Sequence, residues 1–595
     1  MKLKLKRIIT KFLIWKYKHI SERNFIYAMS ILIGLLAGIG TVTLKNMTHF
    51  IQLLLEQKLI EDYQVTLYFV FPTIGLLLVY IYQKYILKRK ISHGITSVLH
   101  SISKRNGIIK PFKIYAPLIV APITAGFGGS VGLQGPALTV ASAIGSNILQ
   151  VFHINAKTRL LLIGCATAAA MASMFKAPIA AIVFAVEIFS LDLAFVSLIP
   201  LLLASISAII MSYLFLGTDV LFRFDLQDKF IVNDLLFYVL LGLMTGVASV
   251  YFTKMYFFIN NLFKKIKTPI QRLVIGGASI GIMLYFIPPL YGEGYSLINN
   301  LLLGDHLTAL GENPFNEYMD NIWVVITLLL GVIVFKAIAM TATFAAGGFG
   351  GIFIPTLFMG SALGNVIAKV INNIGLNFSV SESNFTLVGL TGLMAGVLHA
   401  PLTAIFLIAE ITGGYELFVP LMIVAAISFA FTKYFVPNSI YTSELAKKGQ
   451  LITHNKDSHV LMIMEIDKII EQNFISLNPE MALGQIVQNA VAKSSRNHFP
   501  VVNDENEFLG ILLLDDIRNI MFDSEMYDKV TVKKLMHAAV DVINYDIDSV
   551  SDIMQKFKYT GAWNLPVTKN GKYFRFISKS KLLNAYRRKL VEVTN

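Results

Sequence analysis

The sequence predicts an α-helical polytopic membrane protein of two related halves with broken helices, followed by a soluble α/β domain. Three observations carry this. Of 595 residues, 55% are hydrophobic and only 15% charged, and apolar runs recur from about Tyr27 to Phe435, more than one soluble core can absorb. The stretch "FKAPIAAIVFAVEIF" (Phe175–Phe189) is echoed by "LHAPLTAIFLIAEITG" (Leu398–Gly413), so the apolar region is built twice. After about Gly449 the composition turns soluble.

The opening "MKLKLKRIITKFLIWKYKHISERN", residues 1–24, is basic and amphipathic. It lacks a small-residue cleavage site and spreads its charges through the apolar face, which predicts a helix lying on the cytoplasmic membrane surface rather than a signal peptide. The net charge of +14 fits loops and tails that face the anionic inner leaflet, and nothing resembles a nucleic-acid module. The single cysteine, Cys165, excludes an intrachain disulfide and a cysteine-based metal site.

From residue 25 to 448 the apolar segments are uneven. Leu193–Leu216 and Phe237–Phe258 are long enough to cross a bilayer, whereas Pro136–Phe152 and Leu160–Ala172 are short and are read as beginning after Gly or Pro. Short apolar pieces at membrane depth are tolerated only where the break is buried in protein or lines an aqueous path. The halves are predicted at approximately 25–225 and 226–448, with a pathway where their broken helices meet.

Each echoed segment follows a glycine-rich turn, "GGSVGLQGP" (Gly128–Pro136) in the first half and "GGFGGIFIP" (Gly347–Pro355) in the second. A glycine turn feeding a helix leaves the first N–H groups without intrahelical partners and aims the positive end of the helix dipole beyond them. Such an end attracts a small anion without the tight grip of a buried full charge, and glycine lets the backbone approach it. No GxxxxGK[ST] or filled GxGxxG is present, so these are not nucleotide loops. Close helix packing is the other use of such glycines.

With these motifs the sequence resembles the CLC family of chloride channels and anion/proton antiporters over roughly Asn24 to Lys448, followed by a pair of CBS domains. "GGSVGLQGP" stands for the family's G-K/R-E-G-P turn, "GGFGGIFIP" for its G-x-F-x-P turn, and "SIYTSELAKKG" for the late helix that offers a tyrosine hydroxyl. The resemblance implies two inverted repeats and a homodimer in which each subunit holds its own path. It also implies a central anion held by the backbone N–H groups of Ile352 and Phe353 and the hydroxyl of Tyr441, with Gly135 and position 134 at the outer turn. An interfacial role in the headgroups is the other reading of Tyr441.

Several positions depart from the pattern. The family's gating glutamate is here Gln134, which has nearly the shape of a protonated carboxyl but cannot exchange a proton. Its inner proton-relay glutamate falls on Ile188, beside the retained Glu187. Loss of both titratable positions predicts passive anion flow rather than antiport. The alternative is another relay, with Glu187 and Glu410, at corresponding places of the two repeats, as candidates; otherwise these carboxylates are satisfied by neighbouring donors and hold the halves together. The family's early serine aligns with His93 in "SHGIT", where an imidazole would either make anion affinity depend on pH or face away from the path. Leu133 replaces a basic residue, which weakens the potential drawing anions in. Chloride is the default substrate, with nitrate, bromide and fluoride open.

Residues 449–472 read as a linker, 473–526 as a first CBS domain and 532–590 as a second, each a strand, helix, two strands and helix in order. In the family such a pair often binds adenine nucleotides. Here the usual [S/T]-x-x-D ribose clamp keeps only Asp516 in the first copy and only Ser578 in the second, which argues against a nucleotide and for dimerisation, stability or another signal. No cofactor or metal is implied. No metal cluster, nucleophile elbow or catalytic carboxylate pair supports an enzyme; a non-conducting membrane sensor is the alternative from another class. A prokaryotic inner membrane, with the CBS pair cytoplasmic, is the expected location.

Overall fold

The computed structural model describes residues 18–55, 69–91, 94–152, 154–189, 195–217, 230–311, 313–375, 379–413, 415–443, 446, 460–461 and 464–594. It divides into two compact units, Met1–Lys448 and Gly449–Asn595. The predicted basic surface helix lies outside the described residues as far as residue 17, and its last residues already belong to the first long helix.

The first unit runs as α1 (Glu22–Leu55), α2 (Phe71–Ile81), α3 (Gly94–Arg105), α4 (Phe112–Gly126), α5 (Gln134–Val151), α6 (Ala156–Phe175), α7 (Pro178–Phe189) and α8 (Phe195–Leu216). It continues as α9 (Leu235–Lys264), α10 (Pro269–Phe286), α11 (Tyr295–Leu302), α12 (His306–Leu310), α13 (Ile322–Ala345), α14 (Phe353–Asn373), α15 (Glu382–Leu398), α16 (Pro401–Ile411) and α17 (Phe418–Phe435). Eight helices among the described residues are long and apolar enough to cross a membrane. Phe50, Leu214 and Phe258 stand exposed on their outer faces, as side chains facing lipid would. One segment is longer than the sequence predicted. Leu160–Ala172 lies inside the 20-residue α6, because the polar first turn with Lys157 and Arg159 is helical too, capped where Asn155 accepts the Thr158 N–H at 2.8 Å.

The repeat is visible in matching details. α1 meets α8 where Gly34 and Gly38 leave no room for a Cβ against Ala204 and Ala208; α9 meets α17 where Gly242 and Gly246 do the same against Ile427 and Phe431. Both are small-xxx-small contacts that let helices approach closely. α6 ends on Lys176 and α15 on His399, both left-handed with φ of 58° and 55°. Each is followed by Ala-Pro, and the proline cannot continue a helix but starts the next one, α7 or α16.

In the second unit, β2 (His498–Val502) and β3 (Phe508–Leu513) form an antiparallel pair. A four-stranded sheet has the order β1-β6-β5-β4, with β1 Ile470–Glu471, β4 Ile543–Asn544, β5 Asn564–Lys569 and β6 Lys572–Ser578. Two helices complete the second copy, α18 (Val550–Thr560) and α19 (Lys579–Thr594). Separate apolar clusters around Phe499 and around Phe557 give each copy its own core. The end of the predicted linker is not free chain: β1 pairs with β6 of the second copy, because Ile470 is buried there and needs a sheet neighbour for its backbone.

Candidate functional site

The two glycine turns meet. Gly128 and Gly347 enter them with φ of +85° and +107°, a conformation that favours glycine. Thr124 at the end of α4 accepts the Phe349 N–H at 3.1 Å, and Thr343 at the end of α13 accepts the Ser130 N–H at 3.3 Å. Each threonine therefore holds the other repeat's turn. At the centre the N–H of Gly132 donates to the carbonyl of Gly351 at 2.9 Å and the N–H of Gly351 to that of Gly132 at 2.6 Å.

This junction sets the starts of α5 and α14 side by side. Neither Leu133 nor Ile352, the residues before these helices, offers a side-chain cap, so both positive helix ends face a common space. Gly94, Gly135, Gly351, Ile352 and Tyr441 line a cavity of about 30 Å³ there, room for one water-sized particle. Tyr441 is buried, and its hydroxyl has no hydrogen-bond partner among the described residues. An unmet donor beside two helix starts is chemistry suited to an anion. Phe353 is fully buried, its ring packed on Phe175 and Phe184 of the first half at 5.2 and 6.3 Å. On its other side Tyr441 lines a second cavity of about 190 Å³ with Glu187, Ile188, His399 and Lys433.

The remaining sites fall as follows. Gln134 is buried, its amide donating to the Tyr295 hydroxyl at 3.1 Å. Glu187 accepts the N–H groups of Leu402 and Thr403 at 3.3 and 2.9 Å and the Thr403 hydroxyl at 2.6 Å. Glu410 reciprocates, accepting the N–H groups of Ile179 and Ala180 at 3.1 and 2.9 Å. Each carboxylate thus caps the first turn of the other repeat's helix, α16 or α7, where charge and dipole agree. His93 lies outside the described residues. Asp516 accepts the Leu513 N–H at 2.9 Å and lies 3.2 Å from His537 Nε2. The Ser578 hydroxyl donates to Glu471 and accepts the Lys581 N–H at 3.2 Å. Both are engaged locally.

Sequence reasoning passed over a further group of charged residues. Glu293 accepts the Leu133 N–H at 2.9 Å, and its charge interacts with those of Lys45 and Lys336. Lys336, fully buried in the middle of α13, donates to the carbonyls of Leu290 and Gly292 at 3.5 and 3.2 Å and lies 4.3 Å over the Phe358 ring. Lys45 donates to the Met174 carbonyl at 3.0 Å. The signal was a lysine inside the apolar run "LLLGVIVFKAIAM" and a carboxylate between glycines in "YGEGY", since ionisable residues at membrane depth are costly and usually functional.

A profile described as voltage gated chloride channel matches residues 74–433, and one described as CBS domain matches residues 466–523. A putative chloride channel protein ClcB-like from Ralstonia nicotianae is 27% identical over 381 residues, covering 63% of this chain and 85% of that one. The voltage-gated ClC-type chloride channel ClcB of Escherichia coli K12 is 27% identical over 325 residues, 54% of this chain and 72% of that one. Among solved structures, a slow cyanobacterial Cl⁻/H⁺ antiporter superposes with a TM-score of 0.62 at 18% identity, over 72% of this chain and 98% of its own. A eukaryotic CLC transporter superposes with a TM-score of 0.61 at 17% identity, over 94% and 99%. At these identities the structural likeness speaks to the fold.

Proposed function

The chain belongs to the voltage-gated chloride channel family, and from that premise we propose that it carries chloride or a similar small anion passively across the membrane, uncoupled from protons, as a homodimer with one path per subunit. The family comprises channels and transporters, not enzymes, and the chain is an integral membrane protein. The observation that carries the reading is the convergence of two helix starts and a Tyr441 hydroxyl that has no partner among the described residues on one small cavity. The central anion would rest on the N–H groups of Ile352 and Phe353 and on Tyr441, with Gln134 and Gly135 at the neighbouring helix start.

Two positions support a path without proton coupling. Gln134 cannot release a proton, and Ile188 in the second cavity has none to exchange. Glu187 and Glu410 are occupied as helix caps, and moving a proton through them would cost both halves their anchoring. The CBS pair would serve stability and dimerisation, without cofactor.

The test is chloride efflux from liposomes holding the purified protein, with valinomycin to shunt potential and a pH electrode recording protons at the same time. Chloride leaving without protons supports the passive reading. Proton uptake in a fixed ratio to chloride overturns it, and no flux from a folded dimer would favour a non-conducting sensor.

A further inference from the structure

We propose that Glu293 is the gate of this path, standing in through space for the carboxylate that position 134 lacks. The inference rests on the anion-transport reading of the same site. Glu293 comes from the turn before α11, far in sequence from the first glycine turn. Its carboxylate nevertheless accepts the N–H of Leu133, the residue that opens α5. That N–H belongs to the helix start whose Gly135 lines the small cavity, so the carboxylate occupies a donor that an anion arriving at this end would use.

The surroundings fit a gate better than an inert anchor. Glu293 is of intermediate burial, and its bond to the Leu133 N–H is partly buried. This differs from Lys336 opposite, which is sealed. The charged and titratable groups that face it are Lys45 from α1, Lys336 from α13 and Tyr295 from α11, with Lys176 beyond Lys45. Tyr295 in turn receives the Gln134 amide, tying the residue at the family's gating position to the same cluster. With Glu293 ionised, its negative charge faces Lys45 and Lys336 and the Leu133 N–H is taken. With Glu293 protonated, its bond to that N–H loses its charge assistance and the nearby lysines lose their negative partner, a change that favours an anion at this end. Acid should therefore open the path.

Two variants of the full chain test this in the liposome assay, read from pH 8 to pH 5 with proton movement recorded. In the wild type, chloride flux should rise as pH falls. In Glu293→Gln the flux at pH 7.5 should be about tenfold higher and should rise less steeply as pH falls, as expected for removing one charge-assisted hydrogen bond that competes with the anion. Glu293→Asp keeps the charge that the lysines need but is too short to hold the Leu133 N–H, so it should fold even if the amide variant fails to, and should also conduct faster at pH 7.5. A wild-type flux independent of pH overturns the proposal, as does a variant that folds and keeps the wild-type rate and profile. Both outcomes leave the passive reading standing if chloride moves without protons. Chloride-linked proton movement that disappears in Glu293→Gln would overturn the passive reading while supporting Glu293 as the titrating gate.

Discussion

Gly132 and Gly351 exchange both of their backbone hydrogen bonds, each N–H donating to the other's carbonyl. This two-bond bridge joins the repeats and fixes the distance between the starts of α5 and α14. A Cβ on Gly351 would stand 2.7 Å from the backbone nitrogen of Gly135, and neither backbone can yield without separating the helix starts.

Gly351→Ala should therefore cut anion flux roughly tenfold or more, from overpacking of about 1–3 kcal/mol placed on the path itself. Chloride efflux per folded dimer measures it. A flux equal to wild type would mean that the junction is softer than its geometry implies.

Tyr441→Phe removes a hydroxyl that has no partner in the protein among the described residues. Stability should stay the same or rise slightly, because a buried unpaired polar group is costly, while chloride affinity should fall about tenfold through loss of one hydrogen bond to a charge. Calorimetric titration with chloride and a thermal melt separate the two effects.

Glu187→Gln and Glu410→Gln should each destabilise the membrane unit by about 2 kcal/mol, since an amide cannot satisfy two N–H donors as a carboxylate does. Thermal unfolding in detergent should report a lower midpoint for both. The chloride-to-proton behaviour of the folded fraction should be unchanged, and a change would return these residues to the list of relays.

Millimolar AMP or ATP should leave the melting temperature of the full chain unmoved. Asp516 and Ser578 are engaged with Leu513, Glu471 and Lys581, so neither is offered to a ribose. A nucleotide-dependent rise in melting temperature would signal binding by mass action.

In the second unit, Ser549 and Asp552 form a capping box at α18, and the bonds from Ser549 hold the Asp552 carboxyl below the ordinary aspartate range. A depressed folded value contributes stability that is present above the ordinary aspartate range and is lost as pH falls through the depressed value. The protection factors of the α18 amides, corrected for the intrinsic exchange rate at each pH, should fall below that range, and Ser549→Ala should lower them at neutral pH by about 1 kcal/mol.

The cues that were local in the chain were legible. The glycine-rich turns at Gly128–Pro136 and Gly347–Pro355 and the echoed segments that exposed the repeat depend on backbone rules and patterns that act within a few residues. Reach across the fold was not legible. Nothing near Glu187 in sequence indicates that its partners are Leu402 and Thr403, and Glu293 stands 160 residues from Leu133. Nor did the apolar count reveal that the polar first turn of α6 is helical.

By itself, then, the sequence determined the membrane class, the two glycine turns and the soluble C-terminal region, which follow from composition and short-range spacing, and its resemblance to the family marked positions 134 and 188 as lacking titratable groups. Only the tertiary structure decided that the two turns hydrogen-bond to one another, that the paired carboxylates are exchanged between repeats, and that a carboxylate from a distant turn lies on the Leu133 N–H. The physical reason is that a buried charge or an open N–H must be satisfied by whatever the fold brings near, and proximity in a chain of inverted repeats is set by packing rather than by sequence order.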